Sequence, residues 1–120
     1  MSGFLITGGK IVNEGTVEEK DLLVKDGRIE RLEDSISPPP GTEVVDAGGK
    51  LILPGLIDDQ VHFREPGQTA KEDIASGSAA AAMGGFTSVV CMPNTSPAID
   101  TPSTVKLIQD KARREAKVNV

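Results

Sequence analysis

The stretch Gly55-Leu56-Ile57-Asp58-Asp59-Gln60-Val61-His62-Phe63-Arg64-Glu65-Pro66-Gly67 decides how the rest of the chain is read. Its first half suits a strand and its end, Pro66-Gly67, is a turn signal. Side chains alternate along a strand, so Asp58, Gln60 and His62 are expected on one face, Ile57 and Val61 on the other, with Arg64 following the parity of His62. From residue 56 the pattern runs strand, loop, helix, strand, loop, helix, and opens a third strand at Lys117-Val118-Asn119-Val120. That alternation is the mark of parallel strands joined by helical crossovers. It puts His62 and Arg64 at the C-terminal end of a parallel strand, where βα loops build active sites. One His at a strand end is by itself a weak signal, more often structural than a ligand.

A second element adds weight. The next strand, Thr87 to Met92, runs into Met92-Pro93-Asn94-Thr95 at the equivalent rim position, so Asn94 can converge with Arg64 on one ligand; an Asx turn before Pro97 is the structural alternative. Between the strands, Thr69-Ala70-Lys71-Glu72 reads as a capping box for a helix over 70–83. Its packing face is Ile74, Ser78, Ala81 and Ala82, and Gly84-Gly85 stops it. The second helix takes Thr101 as N-cap and Pro102 in its first turn, with Val105, Ile108 and Ala112 on one side. Asp110 with Arg114 and Lys111 with Glu115 are expected on its wet faces.

Upstream, residues 4–53 read as short strands. Phe4-Leu5-Ile6 and Lys10-Ile11-Val12 flank Gly8-Gly9 as an expected hairpin, and Asp21–Lys25 and Arg28–Leu32 flank Asp26-Gly27, which suits a type I′ turn. Pro38-Pro39-Pro40-Gly41 interrupts regular structure before further strand at Val44-Val45 and Leu51–Leu53. The expected partition is a β-subdomain over 1–53 and βα units over 54–120. Two and a half βα units leave a bare sheet edge and an open apolar face. The sequence is therefore expected to be the N-terminal portion of a longer protein.

Bulk properties narrow the function. With 120 residues, 38% apolar and 26% charged, the composition is that of an ordinary globular domain. The net charge is −5 and no Lys/Arg block occurs, which argues against nucleic acid or an anionic membrane as partner. No apolar run approaches the roughly 18 residues of a membrane span, and the N-terminus lacks the features of a signal peptide. The single Cys91 cannot form an internal disulfide, so a cytoplasmic location is expected. No glycine-rich phosphate loop follows a strand, against a nucleotide-binding domain.

PGLIDDQVHFREPG at 54–67 and GGFTSVVCMPNT at 84–95 resemble dihydroorotases, within the amidohydrolase superfamily, and the likeness extends along the whole chain. The resemblance implies an α/β fold, a (β/α)8 TIM-type barrel preceded by part of a small β-sandwich. It implies a metal-dependent hydrolase, with one or two Zn2+ ions, interconverting N-carbamoyl-L-aspartate and L-dihydroorotate in de novo pyrimidine biosynthesis. It casts His62 as a metal ligand, Arg64 as the clamp on the substrate carboxylate and Asn94 as its partner. The full-length protein is then expected to be a homo-oligomer acting on a small carboxylate-bearing substrate. A planar guanidinium grips a carboxylate through two parallel bonds, and zinc acidifies water and polarises an amide carbonyl. The sequence departs from the family pattern at Gln60, which stands where the first of two His ligands is expected. A neutral amide oxygen is the weaker donor, so one metal position loses affinity. The alternatives are a non-catalytic homologue serving as an assembly partner and an allantoinase- or hydantoinase-type hydrolase. No catalytic acid or base is assignable, and the isolated chain is expected to be inactive.

Overall fold

The computed structural model describes residues 3–120 and divides into one unit ending at Pro54 and a second spanning Gly55–Val120. The first unit holds β1 (Gly3–Thr7), β2 (Lys10–Asn13), β3 (Thr16–Glu19), β4 (Asp21–Lys25), β5 (Arg28–Glu33), β6 (Glu43–Asp46) and β7 (Leu51–Ile52). They form a four-stranded sheet in the order β5-β4-β1-β6 and a three-stranded sheet in the order β3-β2-β7. The β4–β5 hairpin turns at Asp26 and Gly27, both at positive φ (49° and 74°), as a type I′ turn requires. Leu5, Leu23 and Ile36 make the buried cluster of this unit, and the Asp21 carboxylate accepts from the Ile36 amide at 2.9 Å.

The expected hairpin across Gly8-Gly9 does not form. β1 pairs with β4 and, in parallel, with β6, whereas β2 pairs with β3 and, in parallel, with β7. The chain changes sheets at Gly8-Gly9 and again between β6 and β7, so the two crossings lie side by side. Thr7 O accepts from Ala47 N at 2.8 Å, and Lys10 N donates to Lys50 O at 3.0 Å. A Cβ on Gly9 would lie 2.6 Å from Ile52 Cδ1, so the glycine there allows close approach rather than a two-residue hairpin turn. The partner of β2 is β3, joined through Glu14 and Gly15 at positive φ. All four residues of β3 are exposed, which is why no apolar alternation announces it.

The second unit is β8 (Leu56–Val61), α1 (Ile74–Met83), β9 (Phe86–Cys91) and α2 (Pro102–Glu115). β8 and β9 pair in parallel, with α1 as the crossover. Phe63, Ile74, Val89 and Ile108 form its buried core, with Val61, Ala81, Cys91 and Ala112 packed against it. The third strand is present as a single parallel bridge, Ser88 to Asn119, with Asn119 O accepting from Val89 N at 2.8 Å and Asn119 N donating to Thr87 O at 3.0 Å.

α1 begins later than the sequence pattern suggests. Residues 70–73 lie outside it; Asp73 is the N-cap, in a capping box with Ser76. The Asp73 carboxylate takes the Ser76 amide at 2.7 Å, and Glu72 is spent on the Ser76 hydroxyl rather than on a Thr69 cap. Ile74 and Ser78 are buried as expected, joined by Gly77, where a Cβ would sit 2.5 Å from Phe63 Cε1. Ala82 of the expected face is exposed. Gly85, at φ 83°, supplies the left-handed stop. α2 follows Thr101 as its N-cap, with Pro102 in the first turn. Ile108 is buried while Val105 remains 41% exposed. Of the expected surface pairs, Lys111 with Glu115 forms at 3.6 Å, and Lys111 also reaches Glu65; Asp110 pairs with Lys106 and Arg113 instead of Arg114.

Candidate functional site

β8 does not keep strict alternation. Asp58 stands opposite Val89 and Val61 opposite Cys91, so three steps on β8 match two on β9. This is the geometry of a bulge. Asp58 Oδ1 accepts from the Gln60 amide at 2.9 Å and closes that irregularity. The parity that would align Asp58 with Gln60 and His62 is therefore broken at residue 59. Beyond it Val61 packs on the core, and Gln60 and His62 are exposed.

The two strands end at the same rim, tied by Met92 N donating to Val61 O at 2.8 Å. Just past that tie, His62 Nδ1 lies 3.1 Å from Asn94 Oδ1. Asn94 thus meets His62, whereas no hydrogen bond joins it to the Arg64 side chain among the described residues. Arg64 is half-buried at the same end, in a tight turn where its carbonyl accepts from Gln68 N at 2.9 Å. Pro66 O accepts from Ser96 N at 3.2 Å, and a Cβ on Gly67 would collide with Ser96 O. The turn carrying Arg64 and the loop carrying Asn94 therefore press against each other.

Glu65 is the residue that sequence reasoning passed over. It is only 7% exposed; its Oε2 accepts from Ile74 N at 3.1 Å, and its Oε1 is ion-paired with Lys111 Nζ. A carboxylate at a helix N-terminus compensates unpaired amides and the positive end of the dipole. The one signal in the sequence was an acidic residue in the loop 62–73 between strand and helix. The Glu65 carboxylate holds the Lys111 ammonium above the ordinary lysine range. Burial pushes the Cys91 thiol up, which keeps it a neutral packing group.

A family described as dihydro-orotase-like matches residues 49–120. The chain belongs to that family. It is 50% identical over 118 residues to a dihydroorotase of Geobacter sp. strain M21, covering 97% of this chain and 28% of that protein. It is 52% identical over 109 residues to a dihydroorotase of Sulfurihydrogenibium sp. strain YO3AOP1, covering 89% of this chain and 26% of that protein. The chain therefore spans little more than a quarter of the length of these relatives. Among solved structures it resembles the L-hydantoinase of Arthrobacter aurescens, with a TM-score of 0.85 and 29% identity over 98% of this chain and 26% of that one. In this dihydro-orotase-like chain, no group of three or more His, Cys, Asp or Glu among the described residues could hold a metal ion. His62 is an exposed imidazole with one ring nitrogen engaged by Asn94, which suits one arm of a metal site rather than a complete set.

Proposed function

We propose that this chain is the N-terminal part of a dihydroorotase, a cytoplasmic, homo-oligomeric enzyme that interconverts N-carbamoyl-L-aspartate and L-dihydroorotate. In that reading residues 1–53 contribute to a small β-sandwich, and residues 54–120 open a (β/α)8 barrel with His62, Arg64 and Asn94 on its catalytic rim. The observation that carries it is the contact of His62 Nδ1 with Asn94 Oδ1 at the shared end of two parallel strands, in a chain of this family. Relatives at half identity are dihydroorotases, while the hydantoinases it resembles in fold are about a third identical or less. That contrast favours dihydroorotate over a hydantoin.

Each residue has a task in the reaction. Arg64 binds the substrate carboxylate through a bidentate pair, and Asn94 orients substrate and imidazole without adding charge. His62 would hold the metal through Nε2 while Nδ1 stays on Asn94. Zinc, when bound, supplies an acidified nucleophile and polarises the amide carbonyl. The chain's own donors provide one good ligand, His62, and one poor one, Gln60, so further ligands come from elsewhere in the full-length protein. Gln60 is the specific feature that favours a second reading, a non-catalytic relative acting in assembly. Metal content of the full-length protein, measured beside a carbamoyl-aspartate cyclisation assay, separates the two. Bound zinc with cyclisation supports the enzyme, and a metal-free protein without turnover supports the scaffold. Nucleic acid and membrane have no place in either.

A further inference from the structure

Arg64 opens a turn of five residues closed by the Gln68 amide on its carbonyl, and a clamp is only as well aimed as the turn that carries it. Three ties hold that turn. Arg64 O accepts from Gln68 N, Pro66 O accepts from Ser96 N, and between them the side chain of Glu65 points inward. Its two oxygens go to different elements, Oε2 to the first amide of α1 at 3.1 Å and Oε1 to Lys111 on α2. Lys111 is further steadied by Glu115 at 3.6 Å, and its own side chain is 27% exposed against 8% for Glu65. A buried carboxylate that has both oxygens satisfied by separate helices fixes the backbone of its own residue against both. The residue whose backbone it fixes adjoins Arg64.

We propose that Glu65, with Lys111, is a positioning pair for the Arg64 clamp: it sets the direction in which the guanidinium meets the substrate carboxylate. The proposal rests on the reading of Arg64 given above. Lys111 is placed 46 residues away from Glu65 in sequence, on a helix that carries no other site residue, so the pair brings α2 into substrate recognition.

The test uses the full-length, metal-loaded protein with L-dihydroorotate as substrate and the variants Arg64→Ala, Glu65→Gln, Lys111→Met and Lys111→Arg. A positioning pair acts on binding through the clamp, so Glu65→Gln and Lys111→Met each raise KM by about tenfold or more with kcat held within about twofold. Lys111→Arg, which keeps the charge, returns KM to within about twofold of the unsubstituted protein. If Glu65→Gln does not fold, the two lysine variants decide alone. The proposal is overturned if Arg64→Ala raises KM while Lys111→Met leaves it unchanged, or if Lys111→Met lowers kcat and thermal stability without moving KM. A KM unmoved by Arg64→Ala removes the clamp itself and the proposal with it, and that result is distinct from the other two.

Discussion

His62 and Asn94 join the ends of β8 and β9, with Nδ1 and Oδ1 3.1 Å apart. An amide oxygen can only accept, so in this contact Nδ1 carries the hydrogen, and in the neutral ring Nε2 is then the atom left with a lone pair. A ligand imidazole is held in this way by a partner behind it, which fixes ring and tautomer before metal arrives.

The tautomer can be read in the full-length protein once the ring signals of His62 are assigned by their loss in His62→Gln. In a long-range proton–nitrogen spectrum recorded where the ring is neutral, the Nδ1-protonated form is expected to dominate, and Asn94→Ala should shift the population toward the other form. A ring already protonated at Nε2 in the unsubstituted chain would contradict the contact.

Packing beneath the site is tight at one point. An added Cβ at Gly77 sits 2.5 Å from the Phe63 ring, and Phe63 immediately precedes Arg64. Gly77→Ala is expected to lose about 1–3 kcal/mol of stability despite the better helix propensity of alanine, as overpacking does. Urea unfolding checks it. A neutral or stabilising change would mean that the ring gives way freely.

How much of this was legible in the sequence differs by element. The Asp26-Gly27 turn and the Thr101-Pro102 helix start were readable because short-range chemistry specifies them. So was the parallel pair, since strand and helix periods alternate after residue 55. Gly8-Gly9 misled because a glycine pair between strands signals a turn, while the partners that draw β1 and β2 into different sheets lie some forty residues on. Thr69 and Glu72 formed a plausible capping box, but Asp73 with Ser76 caps one turn later, and only the fold supplies Glu65 to the Ile74 amide. At the site, motif and strand order brought His62 and Asn94 to one rim. The bulge after Asp58 and the Glu65–Lys111 pair depend on contacts that no local pattern encodes.

The Asp73 cap makes stability depend on pH. Hydrogen bonds from the Ser76 amide, and then from its hydroxyl, hold the Asp73 carboxyl below its ordinary value of 3.8. A depressed folded-state value contributes stability that is present above the unfolded value and is lost as pH falls through the folded one. Asparagine caps comparably but does not titrate. The difference in Tm between the unsubstituted protein and Asp73→Asn is therefore expected at neutral pH and should close as pH falls below 3.8 and through the depressed folded-state value. A difference independent of pH would show that the carboxylate charge adds nothing.

Gln60 bears on metal affinity. Restoring imidazole with Gln60→His adds a stronger donor two residues from His62, so zinc binding to the full-length protein should tighten without abolishing turnover. Calorimetric titration measures the first and the cyclisation assay the second. Unchanged affinity would mean that residue 60 does not face the metal.

The most direct test of the account is the effect of Arg64→Ala on kcat/KM for the L-dihydroorotate and N-carbamoyl-L-aspartate pair in the full-length, metal-loaded protein. A carboxylate that loses its charged partner in a desolvated site costs about 2–5 kcal/mol, and a loss of that size in kcat/KM is the predicted result. Turnover that survives Arg64→Ala unchanged, or an unsubstituted metal-loaded protein that neither closes nor opens the ring, would contradict it.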